Sequence, residues 1–210
     1  MATTSTSDDL KPLKITCTSS DCSNGLHCFR LTKKLLKQGT NGRCRSCGVQ
    51  LIDWPRVHRR DLHDVQYTFD ALRYELIRHH FWHIPLSEYA MNYARRKGKT
   101  TLRMAAQRYI EKAVANPTHP RQGRQTPRET SPTANIIHYG QHATASCCRK
   151  CLEEWHGIPA DRVLLGEEIS YLRGLVMLYV DARMPDLSTE AVRVSSRSHR
   201  GIGAAKAISQ

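Results

Sequence analysis

Cysteine and histidine concentrate in two short stretches of this 210-residue chain, about a hundred residues apart, and all eight cysteines fall within them. Thiolate and imidazole are the ligands that zinc prefers, and steps of two to four residues let one loop present two sulfurs to one ion. The sequence therefore predicts two metal sites, with zinc as the metal. The first cluster is Cys17, Cys22, His27, Cys28, Cys44 and Cys47, and the second is His142, Cys147, Cys148, Cys151 and His156.

The first cluster contains one clear ligand pair. Cys44 and Cys47 are separated by two residues and followed by Gly48, a pattern typical of a zinc knuckle, in which two thiolates lie on a tight turn. The spacing does not choose the other two ligands, whose candidates are Cys17, Cys22, His27 and Cys28. We predict a closed, cysteine-rich structural site that folds a zinc-ribbon-like module over residues 15–54.

The second cluster has the spacing of a helical ligand set. On a helix, Cys148 and Cys151 (i, i+3) or Cys147 and Cys151 (i, i+4) share one face, which leaves one of the adjacent cysteines spare. His142 before the helix and His156 at its end would complete a His/Cys/Cys/His site. Three protein ligands plus water would instead make the site catalytic. An iron–sulfur cluster ranks below zinc, because the spacing matches no common ferredoxin pattern.

The sequence around the second cluster carries a longer motif. Residues 123–127 are Gly-Arg-Gln-Thr-Pro, and residues 141–159 are Gln-His-Ala-Thr-Ala-Ser-Cys-Cys-Arg-Lys-Cys-Leu-Glu-Glu-Trp-His-Gly-Ile-Pro. Over roughly residues 102–185 the chain closely resembles the bacterial domain-of-unknown-function family 4186, although it has Arg124 where that family tends to show Lys. The resemblance implies a metal site and supplies no established activity.

Hydrophobic periodicity and helix-end signals predict a mostly α fold with small, metal-stapled, β-poor modules and a minor α+β component. The helical region covers residues 55–116. Its first helix ends at Pro85, its second runs from a Ser87 cap to about Gly98, and its third reaches Asn116.

The second metal-binding domain is predicted over residues 136–186, with a short strand at Ile136–Tyr139, a helix ending at His156 and another over Glu167–Arg183. The rest of the chain is predicted to lack regular structure, as a disordered tail (1–14), a linker (117–135) and a loose basic tail (187–210).

Net charge indicates a polyanionic partner. Lys and Arg number 32 against 19 Asp and Glu, a formal charge of +13, and such an excess attracts nucleic acid. The best phosphate-binding stripe flanks the predicted third helix, although a solvated face would have the same composition. It consists of Arg95, Arg96, Lys97, Lys99, Arg103 and Arg108.

The chain has no apolar stretch suited to a membrane. Its longest, Leu175 to Val180, is far too short to cross a bilayer, and the N-terminus shows no secretory signal. We therefore predict a cytoplasmic protein, in which reduced thiols favour metal ligation over disulfides.

The sequence thus predicts a zinc-binding protein, with about two ions, that binds nucleic acid through a basic surface. The alternative is a metal-dependent or HEPN-like enzyme acting on nucleic acid, with the second cluster or Arg78 and His83 as its active site. Those two residues form an Arg-x4-His step that resembles the active-site motif of HEPN ribonucleases. If the second cluster is catalytic, Gln125, Thr126 and His138 are expected to face the substrate.

Overall fold

The computed structural model describes residues 15–30, 37, 42–117 and 131–194. Within these residues the fold is mostly helical, as predicted, and β-structure is limited to two isolated bridges. The predicted tail 1–14, residues 118–130 of the predicted linker and residues 195–210 lie outside the described part. The helices are α1 (Trp54–His58), α2 (Val65–Ala71), α3 (Leu76–His83), α4 (Glu88–Val114), α5 (Ile136–Ala143), α6 (Arg149–His156) and α7 (Gly166–Arg183).

Local signals in the sequence set several helix ends. The Ser87 side chain accepts a hydrogen bond from the Ala90 amide at 3.1 Å and caps α4, as predicted. Helix α3 ends immediately before Ile84 and Pro85, because the residue before a proline avoids helical dihedrals. Gly157 adopts a left-handed φ of 60° and ends α6.

Helix α4 combines the second and third predicted helices and is broken at Gly98, whose φ is 66° and ψ is 167°. The amides of Lys99 and Thr100 donate to the carbonyls of Ser188 and Thr189 at 2.9 and 3.2 Å. A Cβ built on Gly98 would lie 2.4 Å from a backbone atom of the same segment. The start of the predicted loose tail is therefore packed against the break in α4.

The strand predicted at Ile136–Tyr139 is wrong, because these residues form the first turn of α5. Asn135 caps this helix by accepting a hydrogen bond from the Ile137 amide at 3.0 Å, and its own amide donates to Nδ1 of His138 at 3.2 Å. This reciprocal cap satisfies backbone groups that a short isolated strand would leave unpaired. It outweighs the β-propensity of two adjacent isoleucines.

Two hydrophobic clusters form the core. The larger is contributed mainly by α3, α4, α5 and α7, with Leu102, Ile110 and Leu172 fully buried. The smaller joins the two cysteine-rich stretches and contains Phe29, Cys44, Ile52, Val57, Ala71, Leu72, Ala145, Cys147, Cys151 and Trp155.

Aromatic rings connect the N-terminal segment to α6 within the smaller cluster. The ring centroids of Phe29 and Trp155 are 5.8 Å apart, and those of Trp54 and Trp155 are 5.1 Å apart. Such pairs add to the stabilisation from burial alone. The helices of the described part include none with the length and apolar character needed to span a membrane.

Candidate metal centres

Four ligand atoms of the first cluster converge on one point. The donor atoms of Cys22, His27, Cys44 and Cys47 all lie within 4.8 Å of one another, so this group could hold a metal ion. The Cys22 and Cys44 sulfurs are 3.7 Å apart, and the Cys47 sulfur is 3.4 Å from Nδ1 of His27. The geometry therefore groups Cys22 and His27 with the knuckle pair, and leaves out Cys17 and Cys28.

Two tight loops bring these ligands together. Asp21 and Leu26 exchange backbone hydrogen bonds of 2.7 and 2.9 Å, so the chain reverses between Cys22 and His27. On the other side the Gly48 amide donates to the Cys44 carbonyl at 2.8 Å. Gly48 has a φ of 77°, a conformation that favours glycine. The predicted knuckle turn is therefore present.

His27 is positioned by contacts distant in sequence. Its amide donates to the Tyr74 carbonyl at 2.7 Å, and its carbonyl accepts from the Leu76 amide at 2.9 Å. These bonds attach the module to the start of α3. Because they are non-local, the sequence pattern around His27 could not show that its ring, and not the Cys28 sulfur, joins the candidate ligand group.

The pKa values of two thiols in the first group are shifted in opposite directions. Burial opposes ionisation of Cys44, but backbone hydrogen bonds from Cys28, Cys47 and Ser46 lower its pKa to about 6. Burial and the neighbouring sulfurs of Cys47 and Cys44 raise the pKa of Cys22 to about 11. A divalent ion would offset the repulsion between these thiolates, so its binding would be coupled to proton release.

The second group consists of Cys147, Cys148 and Cys151. The Cys151 sulfur is 3.8 Å from that of Cys147 and 3.4 Å from that of Cys148, and all three lie within 4.8 Å of one another. Both adjacent cysteines belong to the group: Cys148 is the N-cap residue of α6, and Cys147 lies in the bend immediately before it. The group lies at the N-terminus of α6 and could hold a metal ion.

His156, predicted to close the second site, instead has both ring nitrogens engaged by protein groups. It is fully buried, with Nδ1 3.2 Å from the Tyr171 hydroxyl and Nε2 3.0 Å from the Thr144 carbonyl oxygen. Burial lowers its pKa to about 3, so the ring is neutral. Its Nε2–H therefore donates to Thr144, and its Nδ1 accepts from Tyr171.

The other two histidines considered for this region also have structural contacts. The His142 ring stacks on Phe81 with centroids 4.7 Å apart and is not among the grouped ligand atoms. His138 is buried in the cap of α5, where burial lowers its pKa to about 4. It is therefore not an open substrate-facing residue. Gln125 and Thr126, expected beside it, lie outside the described residues.

A buried arginine contacts the second group, and the sequence pattern did not indicate this role. The Arg78 guanidinium donates to the Cys151 sulfur at 3.2 Å, to Glu75 at 2.9 Å and to the His142 carbonyl at 2.6 Å. Glu75 also accepts from the Trp155 indole at 2.7 Å. Burial lowers the pKa of Arg78, but the charges of Cys151 and Glu75 outweigh it and raise that pKa well above its usual value. A permanent cation therefore contacts a metal-ligand candidate.

The contacts of Arg78 also separate it from His83, the other residue of the predicted HEPN-like Arg-x4-His step. Arg78 is 2% exposed, whereas His83 is exposed. The His83 Nδ1 donates to the His79 carbonyl at 2.7 Å, and the two rings stack with centroids 3.9 Å apart. Arg78 and His83 therefore do not face a common scissile phosphate.

Glu154, one turn after Cys151 on α6, is a second acidic residue in this region. Its side chain is 9% exposed, and its Oε1 atom lies 3.9 Å from Arg30 Nε and 3.8 Å from Lys150 Nζ. Within the described residues this oxygen has no hydrogen-bond partner. Burial raises the pKa of Glu154 to about 7.

The predicted basic stripe does not form one continuous face. Lys99 pairs with Asp181 at 2.8 Å, and Lys97 lies 5.0 Å from the centre of the Tyr93 ring. Arg103 follows the break at Gly98 and is ~140° around the helix from Arg108. Four of the six predicted residues are exposed: Arg95, Arg96, Arg103 and Arg108.

Comparison with known proteins places most of this scaffold in one family. A family model described as "Domain of unknown function (DUF4186)" matches residues 66–181. The match confirms the resemblance and extends it toward the N-terminus, so that it includes Arg78 as well as the three-cysteine group. The first metal group lies outside it. No solved structure matches the chain significantly.

Proposed function

Since the chain belongs to the family described as Domain of unknown function (DUF4186), we propose from its own geometry that it is a zinc-binding protein whose metal-stapled fold presents a basic surface to nucleic acid. The convergence of Cys22, His27, Cys44 and Cys47 carries the zinc assignment. Tetrahedral zinc with Zn–S of about 2.3 Å and Zn–N of about 2.0–2.1 Å places sulfurs about 3.8 Å apart and S···N about 3.5 Å apart. The corresponding distances here are 3.7 and 3.4 Å.

The ligand chemistry supports zinc over harder metals. Thiolate and imidazole ligands in a closed tetrahedral set suit zinc, whereas calcium and magnesium require oxygen ligands. We assign a second zinc to Cys147, Cys148 and Cys151, whose sulfur separations of 3.4 and 3.8 Å fit the same geometry.

Elemental analysis of full-length protein purified without added metal tests this assignment. We expect about two zinc ions per chain and loss of one ion in Cys44→Ser, with Ser46→Ala on the same turn as the control. Iron in place of zinc would favour a cluster. A metal-free protein with its full helical signal would refute the proposal, because structural zinc contributes folding free energy directly.

A nucleic-acid partner is supported by charge. The chain carries a net charge of +13, and within the described residues Arg95, Arg96, Arg103 and Arg108 take part in no ion pair with a carboxylate. Unpaired, exposed guanidinium groups are free to contact phosphates and release counterions. Binding of this kind is strongly weakened by salt.

Fluorescence anisotropy with labelled DNA and RNA, single- and double-stranded, at about 50 and about 200 mM salt tests the partner. We expect Arg95→Glu with Arg96→Glu to weaken binding and reduce the salt slope by about 2. Two exposed cations elsewhere on the chain, changed by Arg59→Glu with Arg73→Glu, provide a control of equal charge change. No binding at low salt would refute the proposal.

The enzyme alternative has one observation in its favour. Glu154 is a carboxyl in the region of the second group whose pKa of about 7 suits a general acid or base. Cleavage of the labelled probe during the anisotropy experiment, abolished by Glu154→Gln, would favour this alternative over a binding module.

A further inference from the structure

A cleft lies between the two halves of α4, on either side of the break at Gly98. On a straight helix Tyr93 and Tyr109 would be about 24 Å apart, too far to line one small cavity. The change of direction at Gly98 brings them together. The resulting cavity of about 190 Å³ is lined by Tyr93 from the first half and by Ala105, Arg108, Tyr109 and Lys112 from the second.

Aromatic side chains continue from this cleft onto the surface. The centroids of the Tyr89 and Tyr93 rings are 6.5 Å apart, with an angle of 30° between the ring planes. One helical turn separates the two residues, so they lie on the same face of α4. Tyr93 and Tyr109 pack partly against the larger core cluster, whereas Tyr89 is 45% exposed. Burial in the core therefore does not account for the Tyr89 ring.

Tyr109 forms a fixed wall of the cleft. Its hydroxyl accepts a hydrogen bond from the side-chain amide of Asn135 at 3.0 Å, and its ring packs edge-to-face with His138 at a centroid distance of 4.7 Å. Both partners belong to the N-terminal cap of α5. Because the ring is held in place before a ligand binds, stacking on it costs little conformational entropy.

Positive side chains accompany these rings. Arg108 and Lys112 line the cavity itself, and the Lys97 ammonium lies 5.0 Å from the centre of the Tyr93 ring. Within the described residues, the lining of the cavity includes no carboxylate. The cleft therefore suits an anionic ligand that also carries flat rings.

Single-stranded nucleic acid has this combination of groups. Every base has a flat face that can stack on an aromatic side chain, and the phosphates bind cations. In a duplex the bases already stack on one another, and one can enter a cleft only after it has been flipped out. The cavity is also smaller than the roughly 300–1,000 Å³ of a pocket for a whole small-molecule ligand, so it suits one ring system of a longer chain.

We propose that this cleft and the neighbouring Tyr89 ring bind single-stranded nucleic acid. Bases stack on Tyr89 and against the two tyrosines of the cleft, Tyr93 and Tyr109. The phosphates contact Arg108 and Lys112. The inference rests on the proposed nucleic-acid binding and names the form of nucleic acid that is bound.

Fluorescence anisotropy of full-length protein with an oligothymidylate of about 15 nucleotides, and with an abasic strand of the same length, tests the proposal. The abasic strand keeps the phosphates and lacks the bases. Wild type should bind the oligothymidylate about 5- to 150-fold more tightly, the range expected for stacking of one base. It should also prefer this strand to a duplex, although charge density alone favours the duplex. An oligouridylate measured in parallel distinguishes RNA from DNA.

Two substitutions at one position isolate the aromatic ring. Tyr89→Ala should remove most of the preference for the strand that carries bases, whereas Tyr89→Phe, which keeps the flat ring, should retain it. Tyr74→Ala is the matched control, because Tyr74 is 49% exposed and lies outside the cleft. None of these changes removes a charge, so the salt dependence of binding should stay at the wild-type value. Arg108→Gln should instead reduce the salt slope by about 1.

Equal affinity of wild type for the oligothymidylate and the abasic strand, or wild-type affinity in Tyr89→Ala, would overturn the proposal and leave the nucleic-acid partner in place. An acidic peptide that binds as tightly as the oligothymidylate would also overturn it, since the cleft would then recognise charge alone. Absence of binding to any nucleic acid at low salt would instead refute the proposed function itself.

Discussion

The strongest prediction concerns Arg78, whose guanidinium joins α3 to the second cysteine group. Arg78→Met keeps much of the side-chain volume and removes three hydrogen bonds, to Glu75, to the Cys151 sulfur and to the His142 carbonyl. It also leaves the Glu75 carboxylate, 2% exposed, with the hydrogen bond from the Trp155 indole. The variant therefore contains a buried charge without its counter-ion.

Breaking a buried ion pair in this way is expected to lower the free energy of unfolding by about 3–5 kcal/mol. For a chain of this size, the corresponding decrease in Tm is roughly 6–20 °C. Arg96→Met on exposed α4 surface serves as the control and should change stability by less than about 0.5 kcal/mol. Urea denaturation followed by circular dichroism gives both values, and zinc content is measured on each variant.

A double-mutant cycle separates the ion pair from the loss of a side chain. Glu75→Gln keeps an acceptor for the Trp155 indole and removes the charge, so the variant Glu75→Gln/Arg78→Met should be more stable than the sum of the single changes predicts, by about 1–3 kcal/mol. Additivity within about 0.5 kcal/mol, in variants that retain wild-type zinc, would refute the argument that the Glu75 charge requires Arg78.

Three further predictions use single substitutions. Gly98→Ala should destabilise the chain by about 1–3 kcal/mol, because φ at this position is 66° and a Cβ there would overlap the backbone of Glu190. Gly166→Ala, with open space around it, should not, and thermal melts give both values. The pKa of Glu154 is raised from 4.5 to about 7, so the free energy of unfolding should fall as pH rises between these two values. Glu154→Gln should remove about 1–2 kcal/mol of that fall, a value discounted for solvent screening. Glu153→Gln, at an exposed position, should leave the pH dependence of the free energy of unfolding unchanged. His156→Gln should lower Tm and leave the zinc content at the wild-type value, whereas loss of one ion would restore His156 as a ligand.

Helix ends were predictable because their signals are local. The Ser87 cap, the stop before Pro85 and the left-handed Gly157 each depend on residues within one turn of the helix end. At Ile136–Tyr139 the deciding signal was also local, but the strand prediction was wrong because that signal has an unusual form. The signal, Asn135 with His138, is a capping box in which histidine replaces the usual Glu or Gln, so the standard pattern did not reveal it.

The candidate metal ligands were predictable as a group and not individually. Spacing identifies Cys44 and Cys47, because both lie in one turn. Selection of His27 depends on its backbone bonds to Tyr74 and Leu76, and no local pattern contains that information. His156 has the position expected of a ligand, but the Tyr171 hydroxyl contributed by α7 occupies one of its nitrogens.

The regions predicted as an N-terminal zinc module and a C-terminal metal domain share one packed surface. Phe29 and Trp54 from the first part pack against Trp155 from the second, at centroid distances of 5.8 and 5.1 Å. The smaller core cluster contains Cys44 together with Cys147 and Cys151. Because the two cysteine groups bury one shared apolar surface, removal of either proposed zinc ion would expose part of the core that supports the other. We therefore expect the free energies of the proposed zinc binding at the two groups to be coupled.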